Sequence, residues 1–426
     1  MNGEGLMFST MEECTDFIFK LRASEYKGEP LQSARILLKA LGNPEKQSKF
    51  IHIAGSNGKG STLNATREIL MNHGLTVGAF ISPHLERPNE RVTINKEQIT
   101  DEQFLRYANV IAAAVQTELD NKFPSFFEIM TLIGFLHFAN EQVDVVVLET
   151  GIGGLLDSTN VITPEVSVIT TVSLEHTAML GDTYALVSSQ KAGIIKYGKP
   201  VVVGVKNEEA REVIKRVAAS NEAPIYLLNE TIHVRKAEIG DFTYEGIGRI
   251  ENIELAMIGA HQYDNATLAI TACSLFLGQL QEEAVRKALK EAVWEGRFEK
   301  VSEQVILDGA HNSEGTAALI QALRKTYPNA KYRFVYAAMA DKDHAISIQL
   351  MDAVANTISF TALPLPTAMA SDKLYALSNH SSKRYEQNWQ QLVRKEMDYL
   401  KKDELLVITG SLYFIGEVRK WIKMEG

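Results

Sequence analysis

The chain has only two cysteines, Cys14 and Cys273, in 426 residues. A disulfide framework is therefore excluded and a reducing compartment is expected. No apolar run approaches the ~20 residues that a membrane helix needs. The N-terminus lacks a basic stretch followed by an apolar core, and it carries Glu12 and Glu13. It does not read as a secretory signal, so a cytoplasmic protein without membrane contact is expected. Net charge is −9 and there is no arginine-rich tract, which removes support for a nucleic-acid surface. Internal repeats and low-complexity tracts are also missing. The composition, 45% apolar and 23% charged, is that of an ordinary soluble globular protein, and the length exceeds one comfortable core. Two domains are expected.

What is present is a glycine-rich turn, Gly55-Ser56-Asn57-Gly58-Lys59-Gly60-Ser61-Thr62. It follows the apolar run Phe50 to Ala54 and precedes a helical pattern from Leu63 to Asn72. Such a turn aims backbone N–H groups and the helix dipole at one spot, which suits a polyphosphate. Lys59 adds a cation for the outer phosphates, and Ser61 or Thr62 adds a hydroxyl near a bound magnesium ion. A nucleoside triphosphate is the expected ligand. The generic loop reads G-x-x-x-x-G-K-[ST]. Here Ile53 stands at the first glycine, and Gly60 separates Lys59 from Ser61. That departure argues against a typical GTPase or nucleotide kinase. A plain surface turn is the alternative, and the flanking patterns disfavour it.

Strand and helix patterns alternate, which predicts an α/β fold with a mostly parallel sheet. Strands are expected at Ile51–Ala54, Thr76–Ile81, Val143–Leu148, Val166–Val172 and Pro200–Val205, with helices over Phe104–Leu119 and Phe127–Asn140. A second alternation begins near Val301, with strands at Gln304–Leu307, Arg333–Ala337, Ala355–Phe360 and Leu405–Thr409. A helix over Thr316–Thr326 falls among them, and Leu363-Pro364-Leu365-Pro366 reads as a loop. The expectation is a P-loop-type domain over 1–295 and a smaller Rossmann-like domain over 296–426, joined at Trp294 to Phe298.

Ligands of parallel sheets bind beyond the carboxyl ends of the strands. After the expected strands come the phosphate loop, Ser82-Pro83-His84-Leu85, Glu149 with Gly151-Ile152-Gly153-Gly154, and Glu175-His176. A hydroxyl, a carboxylate and an imidazole on one edge suit magnesium or manganese. Each has an ordinary alternative: Ser82 can cap a turn and His176 can be a satisfied polar residue. Glu149 is harder to explain structurally, because an unpaired carboxylate beside four apolar residues is costly to bury. Lys191, in Ser188-Ser189-Gln190-Lys191-Ala192-Gly193, reads as a mid-helix lysine whose stem packs and whose head snorkels to water. In the second domain, Asp308-Gly309-Ala310-His311-Asn312 and Gly410-Ser411 follow strands, where binding residues gather. Arg297 in the linker suits a phosphate clamp or an ion pair between domains.

Taken in order, these motifs together with Asn89-Glu90-Arg91-Val92, His176-Thr177, Lys191-Ala192-Gly193-Ile194, His261-Gln262, Asn265-Ala266 and Gly296-Arg297 resemble the folylpolyglutamate synthases and bifunctional dihydrofolate synthases of the Mur ligase superfamily. The likeness runs from about residue 30 to the C-terminus. It implies that Asn57, Gly58, Lys59, Gly60, Ser61 and Thr62 cradle ATP, with Asn265, Arg297 and Asp308 as further nucleotide contacts. Ser82 and Glu149 would hold one magnesium ion. Glu149, His176 and a carbamylated Lys191 would hold a second, and Lys59, Glu149, His176 and Lys191 would carry the catalysis. Phe127 and Asp157 match positions near the pterin, while His311 and Ser411 match the pocket for glutamate. Leu155, Glu175, Gln190 and Glu295 stand where the family usually has Arg, Asp, Glu and Pro.

The resemblance implies a monomeric ligase that phosphorylates a folate or dihydropteroate carboxylate with ATP and passes the acyl group to the amine of L-glutamate. ATP would touch both domains, with closure about residues 294–298. Two alternatives remain at this point: a cell-wall Mur ligase, whose usual loop lacks the glycine after the lysine, and a nucleotide-binding regulator that has lost catalysis.

Overall fold

The computed structural model describes residues 6–21, 23–236, 241–340 and 344–425. Among them, β1 (Phe50–Ala54), β2 (Val77–Phe80), β3 (Val92–Ile94), β4 (Glu97–Gln98), β5 (Val145–Glu149), β6 (Val166–Ile169), β7 (Val201–Val203) and β8 (Ile225–Leu227) form one sheet in the order β4-β3-β2-β5-β1-β6-β7-β8. All pairings from β2 to β8 are parallel; β3 and β4 add an antiparallel edge. The central strands are rich in Val and Ile and buried along their whole length, as expected of strands in a parallel sheet with both faces covered. β1 lies between β5 and β6, so the loop leaving β1 is flanked by the residues that leave β5 and β6. This strand order is what builds the site.

Several boundaries differ from the sequence reading. Glu149 is the last residue of β5, opposite Ile53 in the ladder, and does not follow the strand. β6 stops at Ile169, because residues 170–173 turn to bond the loop after β1. The helix after the phosphate loop starts at Lys59 and runs to Asn72, with Gly58 in the left-handed region at its N-cap and no side-chain cap. The positive end of the helix dipole thus lies at the loop with no N-cap side chain over it. The helix Phe126–Asn140 opens with a capping box between Ser125 and Glu128. A three-stranded antiparallel sheet, β9 (His233–Lys236), β10 (Phe242–Gly246) and β11 (Gly248–Ile253), was not legible in the sequence.

The second sheet contains β12 (Glu299–Ser302), β13 (Val305–Leu307), β14 (Lys331–Tyr336), β15 (Ala355–Phe360), β16 (Lys383–Tyr385) and β17 (Glu404–Thr409), in the order β12-β13-β17-β14-β15-β16. Only β12 is antiparallel to its neighbour. The chain divides into two units. The second holds Val293–Gly426 together with two earlier segments, His84–Arg87 and Ala256–Tyr263. Leu85 packs in the apolar cluster of Phe414, Ile415 and Leu412, and Glu86 pairs with Arg419. None of the described helices is long and apolar enough to cross a membrane.

Candidate active site

The phosphate loop is held mostly by the segment after β6. Ser56 N–H donates to Thr171 O at 2.9 Å, and Asn57 N–H donates to Thr171 Oγ1 at 2.8 Å. Thr170 Oγ1 donates to Asn57 O at 2.7 Å, and Ser173 N–H donates to Ser56 Oγ at 2.9 Å. Two glycines are needed for close approach. A Cβ at Gly55 would lie 1.9 Å from Thr170 Oγ1, and one at Gly58 would lie 2.6 Å from Asn265 Oδ1. Asn265, buried in the helix Ala260–Leu277, therefore sits against the loop. Ser61 and Thr62 are buried in the first turn of the helix Lys59–Asn72, just after Gly60.

Lys59 folds back over its own loop. Its Nζ donates to Gly55 O at 2.9 Å and Ser56 O at 3.3 Å, and it lies 4.0 Å from Glu149 Oε1. Ser82 N–H donates to Glu149 Oε2 at 3.3 Å. The ends of β1, β2 and β5 thus meet at the Glu149 carboxylate, which is 4% exposed. That oxygen-rich corner beside a phosphate loop fits a hard divalent cation.

Lys191 corrects the sequence reading. It lies in the last turn of the helix Tyr184–Ala192, and it does not snorkel: its side chain is 1% exposed. Its Nζ reaches Glu175 Oε1 at 3.4 Å. Burial, partly opposed by Glu175, lowers the amine to about 8. Burial pushes the Glu175 carboxyl up, but Lys191 and Lys59 prevail and hold it at about 2. As an ammonium Lys191 has three donors and no lone pair, so it cannot ligate a metal in that form. His176 sits at the left-handed N-cap of the short helix Thr177–Leu180, with Glu175 beside it. Among the described residues no three His, Cys, Asp or Glu side chains are placed to hold a metal ion between them. The set Ser82, Glu149, His176 and Lys191 contains only two such residues.

Asp157 is buried and faces inward. Its carboxylate accepts from Gly151 N–H at 2.9 Å, Ile152 N–H at 3.0 Å, and the N–H and hydroxyl of Thr159 at 3.0 and 2.6 Å. Burial nonetheless raises its pKa. Thr159 Oγ1 in turn lies 2.8 Å from Nε2 of His52, in the middle of β1. Burial holds His52 down to about 3, so it is neutral, and because the Thr159 hydroxyl already donates to Asp157, the Nε2–H of His52 is the donor to it. Asp157 therefore shapes the glycine loop after β5. Phe127 lines the same loop: a Cβ on Gly151 would lie 2.7–3.0 Å from its ring.

The second unit gathers its own strand-end loops. Ala310 O accepts from Gly410 N–H at 3.0 Å and Thr409 Oγ1 at 3.2 Å, which joins the loop after β13 to the loop after β17. His311 Nδ1 lies 2.8 Å from Gly309 O, and Ser411, buried, precedes the helix Leu412–Glu425. Asp308 accepts from Phe298 N–H at 2.8 Å and Ala310 N–H at 2.9 Å, with Arg297 beside it. A Cβ on Gly309 would lie 2.3 Å from Arg297 Nη1, so the guanidinium lies across that glycine. Sequence reasoning missed Thr170, Thr171, Ser173 and His52. A threonine pair after a strand carries no periodic signal, and a histidine inside an apolar strand reads only as an exception.

Comparison with known proteins gives the family. Residues 53–273 match the Mur ligase middle domain, and residues 296–412 match the Mur ligase glutamate ligase domain. The chain is 36% identical over 403 residues to the dihydrofolate synthase/folylpolyglutamate synthase of Bacillus subtilis, covering 91% of this chain and 93% of that protein. It is 36% identical over 400 residues to the folylpolyglutamate synthase of Lacticaseibacillus casei, covering 90% and 92%. Among solved structures, Mycobacterium tuberculosis folylpolyglutamate synthase complexed with ADP superposes with a TM-score of 0.90 at 27% identity, covering 96% of this chain and 98% of that one. Escherichia coli FolC in complex with DHPP and ADP gives 0.89 at 26% identity, covering 98% of each chain. With a phosphate loop, its flanking carboxylate and lysine, and both ligase domains in sequence order, this chain belongs to the dihydrofolate synthase/folylpolyglutamate synthase family of Mur ligases.

Proposed function

We propose that this protein is an ATP-dependent ligase that joins the amine of L-glutamate to the carboxylate of a folate. The observation that carries the reading is the meeting of Lys59, Ser82 and Glu149 at the phosphate loop, with the buried Glu175–Lys191 pair in the electrostatic field of Lys59. A carboxylate is a poor electrophile because its leaving group would be oxide. Transfer of the γ-phosphoryl group from ATP makes an acyl phosphate, and attack by the glutamate amine then expels phosphate. ADP is the second product.

In this reading the N–H groups of the helix Lys59–Asn72 and the Lys59 ammonium bind the triphosphate, and Lys59 swings from its own loop onto the outer phosphates. Ser82 and Glu149 hold one magnesium ion. Glu149, His176 and carbamylated Lys191 hold a second; manganese suits the same donors. Bound there, the ions supply charge neutralisation for phosphoryl transfer. Lys191 is suited to carbamylation because burial keeps its amine partly neutral near pH 8, so its lone pair can add to carbon dioxide with loss of a proton. Phe127 and the glycine loop held by Asp157 form the acceptor side. His311 and Ser411 receive glutamate, while Asn265, Arg297 and Asp308 contact the nucleotide.

Dihydropteroate is a second acceptor, favoured by the double name of the B. subtilis relative and by the DHPP complex of the E. coli one. The test is ADP release with tetrahydrofolate or dihydropteroate plus glutamate, beside a muramyl nucleotide. Turnover with a folate-type acceptor is expected. Turnover with the muramyl substrate alone would replace this reading by a cell-wall ligase, and none with any acceptor would favour a regulator.

A further inference from the structure

The loop that carries the phosphates and the loop that carries His176 are one hydrogen-bonded unit, and Thr171 is its centre. Thr171 Oγ1 accepts from Asn57 N–H at 2.8 Å and lies 3.1 Å from Asn57 O; Thr171 O accepts from Ser56 N–H at 2.9 Å. Thr170 Oγ1 donates to the same Asn57 O at 2.7 Å. Two residues further on, Ser173 N–H bonds Ser56 Oγ at 2.9 Å. Glu175 and His176 follow after Leu174.

Two consequences come from peptide geometry. The N–H of Asn57 is committed to Thr171 Oγ1. The Asn57 carbonyl is drawn toward the segment after β6, and in a trans peptide the N–H of the next residue points the opposite way. Gly58 N–H is thereby aimed away from Thr170 and Thr171, and its left-handed φ of 87° lets the chain enter the helix from that orientation. Gly55 is the seat of the arrangement, since any Cβ there would collide with Thr170 Oγ1.

We propose that Thr171, assisted by Thr170, is a positioning residue that couples triphosphate binding to the placement of His176 and Glu175. This rests on the reading of residues 55–62 as the ATP loop. Neither threonine touches a reacting atom. Their effect is to hold two ligand-bearing loops at one spacing, so that a nucleotide settled on the first finds the second already in place. Ordered loops of this kind contribute through orientation, where a displacement near 1 Å costs about 10²-fold in rate.

The test is steady-state kinetics of Thr171→Val, Thr171→Ser and Thr170→Val, with Lys59→Ala as control, over a series of Mg²⁺ concentrations. Thr171→Val is expected to lose about 10²-fold in kcat/KM for ATP, with a raised Mg²⁺ half-saturation. Thr171→Ser, which keeps the oxygen, is expected to recover most of that loss. A purely structural role would lower the melting midpoint and leave the Mg²⁺ dependence of the folded enzyme unmoved. Should Thr171→Val not fold, Thr170→Val, which removes the bond to Asn57 O and a longer one to Ala54 O, carries the same expectation at smaller size. Wild-type kinetics in the valine variants, or a serine variant as impaired as valine, overturns the proposal. If Lys59→Ala is also wild-type, the ATP-loop reading itself has failed; if only the threonine variants are normal, the coupling alone has.

Discussion

Each unit buries a charged side chain on a helix, and the two are treated differently. In the second unit, Glu396 is fully enclosed and saturated. It accepts from Ser359 Oγ at 2.6 Å and from Arg333 and Arg384 Nε at 3.0 Å each. Arg333 continues to Glu404. The network ties β14, β15, β16 and the helix Trp389–Asp398 into one block. In the first unit, Lys191 is as deeply buried, yet its ammonium reaches one carboxylate, at 3.4 Å. A buried charge with every partner in place stabilises the fold. A buried charge with few partners keeps reach for chemistry, and its pKa moves to where both protonation states are available.

That contrast can be broken by mutation. The largest expected effect is on turnover. Lys59→Ala and Glu149→Ala should each lose at least about 10²–10³-fold in kcat, by analogy with removing one preorganised charge contact, with thermal unfolding little changed. Full activity in either would remove the phosphate-loop account. Next in size is the saturated site. Glu396→Ala leaves two arginines facing an empty position and should cost about 3–5 kcal/mol in urea unfolding, with kcat of the folded protein unaffected. Lys191→Met should lose turnover, but with a smaller stability loss than Glu396→Ala, because the Glu175 it leaves behind is 13% exposed and keeps Lys59 nearby. Equal stability losses at the two sites would erase the distinction.

The smallest effect is in pH dependence, and its sign differs between the sites. Burial alone would raise Glu396, but Ser359 and the two arginines hold it below its usual 4.5. Its contribution is present above that value and is lost as pH falls through the depressed folded pKa. Glu396→Gln should flatten this acid limb. Lys191 is lowered from 10.5 to about 8, so its cost to the fold is present below 8 and is relieved as pH rises toward 10.5. In carbon-dioxide-free buffer, wild-type stability should gain over that window, and Lys191→Met should not.

Much of the architecture could be read from residues. The β-branched runs gave β1, β5, β6 and β7, because a strand buried on both faces has few alternatives. The phosphate loop was legible for the same local reason. What escaped depends on contacts distant in sequence. Whether Lys191 snorkels is decided by Glu175 and by the glycine loop packed against its helix. Whether Asp157 faces a substrate or its own backbone is decided by Gly151, Ile152 and Thr159. Thr171 gains its importance only because strand order puts β6 beside β1. The short antiparallel sheet β9–β11 and the joining of His84–Arg87 to the second unit were likewise invisible to periodicity.

The central claim is that side chains from three strand ends share cations with the tail of ATP. The direct measurement is anomalous diffraction from crystals grown with Mn²⁺ and a non-hydrolysable ATP analogue. The account predicts a manganese peak within coordination distance of both Ser82 Oγ and a Glu149 carboxylate oxygen, beside the phosphates of the analogue. Peaks confined elsewhere, with Glu149 turned away from the nucleotide, would contradict it.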